Sequence, residues 1–255
     1  MHVGVLVKQV PDSWAEKSLD ATSLRLPRGD YESVLNDLDE YAVELAVNWN
    51  ENLGDSTVAI CLGPESAADA VRRALQIGID EALIVSDPTF AGVDALGTAT
   101  ILAAAVQRAR CDVVLAGAES TDAKTAVVPV ILAELLGWAV FTNVVAVERD
   151  GSNLHITCSY SGERITYSHA GPAVISVVEK FNEPRYPNFK GIMAAKKKTV
   201  TVLGAADLEI SDVVPVAKVT SSVLAPARSA GIVVDASAPD FAQVVVETLK
   251  EKQVL

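Results

Sequence analysis

The residue types best suited to ligand chemistry lie in one loop, Gly117 to Thr125, which reads Gly-Ala-Glu-Ser-Thr-Asp-Ala-Lys-Thr. The loop follows a short apolar run and leads into a predicted helix from about Thr125 to Leu136. A glycine that allows close backbone approach, hydroxyl groups, and free N–H groups at a helix start all suit a phosphate, to which Lys124 would add positive charge. A plain strand-to-helix loop whose Ser, Thr and Asp residues cap the helix explains the same residues. Both interpretations stay open at this point.

Other polar residues do not assemble into a catalytic pattern. Asn36, Asp39 and Glu40 stand before a helical pattern, where they either contact a ligand or, more commonly, cap the helix. Two possible nucleophiles, Ser120 and Cys111, have no histidine partner nearby in the sequence, and no Walker A or GxGxxG motif is present. The three histidines are widely separated and no metal-ligand spacing appears. The pattern predicts a nucleotide-binding and partner-binding module, with no catalytic residue and no metal site.

Alternating strands and helices are the elements that must position these residues. Val3 to Val7 is an apolar run typical of a strand buried on both faces. Further strands at Thr57 to Leu62, Ala82 to Val85 and Asp112 to Ala116 alternate with helices after Asn36, at Glu65 to Ile77 and at Asp94 to Arg110. This order indicates an α/β fold with an open, mostly parallel sheet covered by helices on both faces. Ligands bind such sheets beyond the strand carboxyl ends, which brings together the loops Lys8 to Trp14, Leu62 to Glu65 and Gly117 to Thr125.

The second half of the chain has a different pattern. Val140 to Val147, His155 to Ser159 and Arg164 to Ser168 alternate more strictly and are separated by turn residues, which predicts an antiparallel extension of the sheet. Beyond Leu203 the chain is less regular and ends in an amphipathic helix from about Phe241 to Lys252. We therefore predict an α/β domain over residues 1–203 and a C-terminal arm over residues 204–255.

Composition bounds the class of protein. The chain has 255 residues, of which 50% are hydrophobic, and a formal net charge of -12. A large core is expected, whereas nucleic acid is not expected as a partner because duplex binding needs a basic surface. Three widely spaced cysteines indicate reduced thiols in a cytoplasmic protein. We expect no signal peptide and no insertion into the membrane.

The segment Asn182 to Lys198, which reads NEPRYPNFKGIMAAKKK, is unlike an ordinary connector between two strands. It contains two prolines, the aromatic residues Tyr186 and Phe189 and, counting Lys180, six basic residues in a strongly acidic chain. Connectors are usually short and polar, whereas aromatic side chains among charges are typical of interface anchors. The segment therefore predicts a docking surface. Its lysine run, Lys196 to Lys198, is expected to be solvated.

That segment closely resembles the signature of the β subunit of electron transfer flavoprotein, and the resemblance extends over nearly the whole chain. The matching stretches occur in the family's order: Val5 to Asp12, Asn36 to Glu40, Gly63-Pro64, Gly117 to Val128 and Ser229 to Gly231. The resemblance implies an adenine-nucleotide-binding type of sheet. It also implies a heterodimer with an α subunit that carries most of the FAD site, while the β subunit binds AMP as a structural nucleotide.

Two sets of cofactor residues follow from the resemblance. The AMP set is Leu6, Asn36, Asp39, Leu62, Gly117, Ser120, Thr121, Asp122, Ala123, Lys124, Thr125, Ala126, Val127 and Val128. The loop after the first strand approaches the flavin in the family, which makes Asp12, Ser13 and Trp14 candidates near FAD. Trp14 is preferred because an indole packs well on an aromatic edge.

The resemblance also gives the docking segment a role. Residues 182–198 correspond to the family's recognition loop, which docks onto flavin dehydrogenases such as acyl-CoA dehydrogenases. Phe189 occupies the anchor position, and Tyr186, Pro187, Ile192 and Met193 complete the partner-binding set. The implied function is an electron carrier, as in fatty acid oxidation, that delivers electrons to a quinone reductase or another acceptor. No bond-making chemistry of its own is expected.

Two departures keep alternatives open. Gly117-Ala118-Glu119 replaces the family's usual Gly-Lys-Gln, and Ala126-Val127-Val128 replaces a later Gln, Asn or Thr. The β site is therefore compatible with AMP, with a second FAD as in electron-bifurcating members, or with no nucleotide in a purely structural subunit. A stand-alone ATP-binding hydrolase or sensor is the rival from another class, but it leaves the recognition loop unexplained.

Overall fold

The computed structural model describes residues 1–210, 213–224, 226, 231, 233, 235–237 and 239–254. In this part of the chain the strands are β1 (His2–Leu6), β2 (Gln9–Pro11), β3 (Ser33–Leu35), β4 (Ser56–Leu62), β5 (Glu81–Val85), β6 (Val113–Gly117), β7 (Ala139–Asp150), β8 (Asn153–Tyr160), β9 (Glu163–Ala170), β10 (Ala173–Val177) and β11 (Val200–Leu203). The α-helices are α1 (Asp37–Leu53), α2 (Ala68–Ile77), α3 (Ala95–Ala109), α4 (Val128–Leu136), α5 (Phe189–Ala195) and α6 (Phe241–Glu251).

Nine strands form one sheet in the order β11-β5-β4-β1-β6-β10-β7-β8-β9. The strands from β11 to β7 pair in parallel, whereas β7, β8 and β9 pair antiparallel and extend the sheet at one side. The predicted α/β class, the mostly parallel sheet and its antiparallel extension are therefore confirmed.

Hydrophobic core lies on both faces of the sheet. Val3 and Val5 of β1 belong to the cluster under α1 and α2, whereas Leu6 belongs to the cluster under α3 and α4. Successive strand residues point to opposite faces, so a strand covered on both sides needs a continuous apolar run. Because such apolar runs are easily recognised, the buried strands could be predicted from the sequence.

The helix ends follow local chemistry. Asp94 caps α3 by accepting a hydrogen bond from the Gly97 N–H at 2.9 Å, in the manner expected of an N-cap aspartate. α2 ends at Gly78, whose φ is 155° and where a Cβ atom would lie 2.8 Å from the Val47 side chain. Only glycine fits this helix end without displacing α1.

Three local features differ from the sequence prediction. The stretch treated as irregular contains a short antiparallel pair, β2 with β3, whose three-residue strands are too short to show alternation. The helix expected from about Thr125 begins at Val128, because Lys124 and Ala126 adopt left-handed backbone angles. The recognition loop contains α5, which was not predicted because two nearby prolines and Gly191 disfavour a helix.

The described chain forms two compact units, Met1–Thr220 and Ser221–Leu255. The first contains the whole sheet. The second contains α6, which ends at Glu251, one residue before the predicted end at Lys252. The domain boundary after residue 203 stays a prediction, and Ser229 and Ala230 of the family match lie outside the described residues. Among the helices described, none combines the length and apolarity needed to cross a bilayer.

Candidate functional site

The loops at the carboxyl ends of β1, β4 and β6 lie close together, as the sheet topology predicted. The Lys8 ammonium contacts Ser120 at 3.1 Å and Asp122 at 2.8 Å, which joins the loops after β1 and β6. The Gln9 amide donates to the Ser66 carbonyl at 2.9 Å, which joins the loops after β1 and β4. Leu6 ends β1 and Leu62 ends β4 at this same edge of the sheet.

Asn36 connects α1 to the loop after β6. Its amide nitrogen donates to the Glu119 carbonyl at 3.0 Å, and its amide oxygen accepts from the Thr121 N–H at 2.9 Å. The residue is buried and occupies the N-cap position of α1, but its side chain makes no capping hydrogen bond. The expectation that Asn36 caps the helix is wrong, because its side chain is used on a loop more than eighty residues away.

Asp39 lies in the first turn of α1 and accepts hydrogen bonds from residues that follow β1 and β3. Its carboxylate accepts from the Lys8 N–H at 2.8 Å and from the Asn36 amide at 2.8 Å. Burial raises the pKa of Asp39 to about 7, although these hydrogen bonds oppose the increase. At Gly117 a Cβ atom would lie 2.6 Å from the Asp39 carboxylate and 2.7 Å from the Leu38 backbone. A glycine is therefore required where β6 meets α1.

Asp122 sits between two cations. It pairs with Lys8 at 2.8 Å and with Arg28, while its own side chain is only 1% exposed. Burial alone would raise the pKa of Asp122, but the hydrogen bonds and charges of Lys8 and Arg28 outweigh it and lower the pKa to about 2. Both cations remain more than a third exposed, so the cluster presents net positive charge. Arg28 was not selected as a site residue from the sequence, because it lies in the irregular stretch between β2 and β3. The position of Lys8 shortly after β1 could have indicated its role at the strand ends.

The end of the loop after β6 presents backbone groups and one unused hydroxyl. Residues 123–127 are exposed, and among the described residues no side chain caps the first turn of α4. The interpretation in which the Ser, Thr and Asp residues of this loop cap the helix is therefore wrong. The buried Thr121 hydroxyl has no hydrogen-bond partner within the described part of the chain. Uncapped helix N–H groups, a free hydroxyl and the nearby Lys8 and Arg28 cations fit an anionic phosphate group.

The residues predicted to lie near FAD occupy a neighbouring but separate place. Asp12, Ser13 and Trp14 line a surface cavity of about 580 Å³ together with β3 and α2 residues that include Arg72 and Arg73. The Trp14 side chain is 95% exposed. The backbone N–H of Trp14 donates to the Asp12 carboxylate at 2.8 Å, which shapes the turn after β2. An indole displayed in this way is available to a partner surface.

The recognition loop displays apolar side chains on the protein surface. Tyr186 is 86% exposed and Phe189 is 79% exposed, while Ile192 and Met193 are exposed to a lesser degree and Pro187 is half-buried. The expectation that the two aromatic residues lie outside the core is confirmed. Exposed large apolar groups clustered on one short helix are typical of protein interaction sites.

The lysine run at the end of the recognition loop was only partly understood from the sequence. Lys196 and Lys197 are exposed, as expected. Lys198 is not simply solvated: its ammonium donates to the carbonyls of Leu75, Gly78 and Ile79 at 3.0, 3.0 and 2.6 Å. The expectation of a solvated run is wrong for this residue, because it satisfies carbonyls at the C-terminal end of α2.

No group of three or more His, Cys, Asp or Glu residues suited to a metal ion occurs in the described part of the chain. The three cysteines are free and buried. Burial raises the pKa of Cys61 and of Cys111 to about 12, which leaves both thiols protonated and unreactive at neutral pH.

Comparison with known proteins agrees with this architecture. The family model of the electron transfer flavoprotein domain matches residues 25–208. A relative from Mycobacterium tuberculosis strain H37Rv, named electron transfer flavoprotein subunit beta, is 40% identical over 247 residues, which cover 90% of this chain and 91% of the relative. Proteins of the same name from Clostridium acetobutylicum and Megasphaera elsdenii are 32% and 30% identical over 99% and 100% of this chain, and over 99% and 98% of their own lengths. The chain therefore belongs to the electron transfer flavoprotein β-subunit family, and electron transport is the function that this membership gives it.

Proposed function

We propose that this chain pairs with an α subunit in a heterodimer that carries electrons through a shared FAD. In this proposal the electrons come from flavin dehydrogenases, such as acyl-CoA dehydrogenases, and leave to a quinone reductase or another acceptor. The chain makes and breaks no covalent bonds of substrate, and it works in the cytoplasm. The observation that carries the docking part is the exposure of Tyr186 and Phe189 on a segment rich in basic residues, in a chain whose net charge is -12.

Phe189 is the proposed anchor of the dehydrogenase contact. It is the first residue of α5, and its ring is largely exposed in the part of the chain that the structure describes. Insertion into an apolar pocket of a partner would remove this surface from water, and one such anchor contributes much of the affinity of a small interface. Tyr186, Pro187, Ile192 and Met193 would surround the anchor. Small interfaces suit the rapid exchange of partners that electron carriers require.

The loop after β6 is the proposed site of the structural nucleotide, for which AMP is the preferred identity. The phosphate would meet the backbone N–H groups of Ala123 and of residues 125–128 and the Thr121 hydroxyl, with Ser120, Asp122 and the Lys124 and Thr125 side chains beside them. Asn36 and Asp39 would hold the loop in place against Gly117, and Leu6 and Leu62 would line the strand ends. The support is the uncapped start of α4 and the unpartnered hydroxyl.

FAD, when bound in the heterodimer, supplies the redox chemistry, and the residues of this chain position partners around it. Asp12, Ser13 and Trp14 are the proposed contacts on the flavin side. The support for Trp14 is the nearly complete exposure of its indole, which lies beside a cavity instead of in the core.

The docking proposal predicts the behaviour of Phe189→Ala in the purified heterodimer. We expect the KM for reduction by the partner dehydrogenase to rise about tenfold or more, because an anchor residue contributes on the order of 2 kcal/mol to an interface. Steady-state reduction of the flavin, with the heterodimer as the varied substrate, measures this change. Val202→Ala, at another exposed apolar side chain outside the recognition loop, is the matched control.

The flavin absorption spectrum should stay the same in both variants, because neither residue belongs to the proposed cofactor sites. Wild-type kinetics in Phe189→Ala would refute the anchor role. An equal loss in Val202→Ala would show that the effect is not specific to the recognition loop.

A further inference from the structure

One arginine, Arg185, attaches the start of the recognition loop to helix α1. The guanidinium of Arg185 makes two forked contacts, one to Glu44 at 2.9 to 3.2 Å and one to Glu51 at 2.7 and 2.9 Å. The backbone N–H of Arg185 also donates to Glu44 at 3.1 Å. Both acids lie on α1 and are separated by about two helical turns, so this single residue attaches the start of the loop at two levels of that helix.

The geometry of this contact requires arginine. Glu44 is buried, with its side chain 7% exposed, and it also accepts from the Asn48 amide at 2.9 Å. A planar guanidinium can form a bidentate contact with each of two carboxylates, whereas the ammonium of lysine is a point charge that lacks this forked geometry. The hydrogen bond from Arg185 lowers the pKa of Glu51, in agreement with a close ionic contact.

Three further contacts fix the loop at its beginning, middle and end. At Gly191 a Cβ atom would lie 2.4 Å from the Gln76 carbonyl, which shows that α5 packs directly on the backbone of α2. Lys198 then satisfies the carbonyls that follow α2, as described above. Asn182 donates to the Tyr41 carbonyl at 3.0 Å at the opposite end.

The attachment leaves one side of the loop unused. The charge of Arg185 is taken up by Glu44 and Glu51 within the chain, so it is not available to a partner. The neighbouring Tyr186 and the anchor Phe189 take no part in these contacts and remain exposed. Polar groups are therefore used for internal attachment, and apolar groups are left for external contact.

We propose that Arg185 is the positioning residue of the dehydrogenase-docking surface, acting through its double contact with Glu44 and Glu51. This inference rests on the proposed function and deepens it. A loop held in its bound shape loses less conformational freedom on association, so a partner meets the apolar side chains already in place. Arg185 acts on affinity through the position of Phe189 and does not touch the partner.

The test compares Arg185→Lys, Arg185→Gln and the control Lys196→Gln in the FAD-loaded heterodimer. Lys196 is an exposed cation of the same loop without an ion pair among the described residues. We expect Arg185→Lys and Arg185→Gln to raise the KM for dehydrogenase-driven flavin reduction about five- to tenfold, while kcat stays within about twofold of wild type. The reason is that a loop no longer held by Arg185 must lose its conformational freedom when the dehydrogenase binds. Lys196→Gln should leave both constants near wild type.

Amide hydrogen exchange over residues 182–195 provides a readout that does not depend on the dehydrogenase. We expect faster exchange in both Arg185 variants and wild-type exchange in Lys196→Gln. If the Arg185 variants do not fold, Glu51→Gln removes only the outer fork at a half-exposed carboxylate and should give a smaller change in the same direction. Wild-type exchange together with wild-type KM in Arg185→Lys, or in Glu51→Gln if that variant replaces it, would overturn the proposal.

The two proposals fail in different ways. If Phe189→Ala leaves KM unchanged, docking through this loop is wrong whatever Arg185 does. If Phe189→Ala raises KM but the Arg185 variants leave KM and exchange unchanged, only the positioning role is wrong.

Discussion

At the residue scale, the candidate nucleotide site depends on polar side chains that bind other parts of the same chain. Asn36 and Asp39 were selected from the sequence as candidates, but their partners could not be, because these partners lie after β1 and after β6. Sequence spacing identifies a helix start and its usual capping role. It does not show that a loop eighty residues later provides better hydrogen-bond partners.

Asp39 gives a prediction about pH and stability. Its pKa is raised from 3.8 to about 7 in the folded chain, so the folded state keeps a proton that the unfolded state releases. The contribution is complete below pH 3.8 and is lost as the pH rises through about 7. We expect the free energy of unfolding of wild type, relative to Asp39→Asn, to fall by about 2–3 kcal/mol between pH 5 and 7.5, because part of the linkage effect is already lost below pH 5.

Urea denaturation at a series of pH values, followed by circular dichroism, measures this difference. Asp37→Asn, at an exposed carboxylate in the same turn of α1, should follow the pH dependence of wild type. Parallel pH curves for wild type and Asp39→Asn would contradict the assignment of a protonated, buried carboxyl group.

At the element scale, α1 serves both functional regions. Its first turn holds the loop after β6 through Asn36 and Asp39, and later turns hold the recognition loop through Glu44 and Glu51. The helix itself was predictable from its apolar spacing, as were the buried strands. α5 was not, because Pro184, Pro187 and Gly191 oppose a helix prediction while contacts with α2 stabilise it.

The contact between α5 and α2 gives a prediction about Gly191→Ala. The added methyl group would lie 2.4 Å from the Gln76 carbonyl, so α5 must move away from α2. Alanine is intrinsically the better helix former by about 1 kcal/mol, but overpacking against backbone costs about 1–3 kcal/mol. We expect a net loss of stability, with faster amide exchange across α5.

Gly29→Ala is the matched control, because a Cβ atom there meets nothing within 4 Å. Thermal unfolding and hydrogen exchange measure both variants. A Gly191→Ala protein that is more stable than wild type would mean that α5 does not pack on the α2 backbone in this way.

At the scale of the whole molecule, the parallel sheet separates two tasks. The candidate nucleotide site lies beyond the carboxyl ends of β1, β4 and β6, whereas the recognition loop lies against α1 and α2. This division could be predicted from the order of strands and helices together with the unusual composition of residues 182–198. The identity of the nucleotide could not, because its proposed contacts are mostly backbone groups, whose availability depends on the local fold.

The central claim is that this chain forms half of a flavin-carrying heterodimer and binds a nucleotide of its own. Co-expression with its α partner, followed by size-exclusion chromatography and mass spectrometry of the denatured complex, tests the claim most directly. We expect a yellow 1:1 complex that releases one FAD and one AMP. A chain that remains monomeric, colourless and free of nucleotide in the same experiment would contradict it.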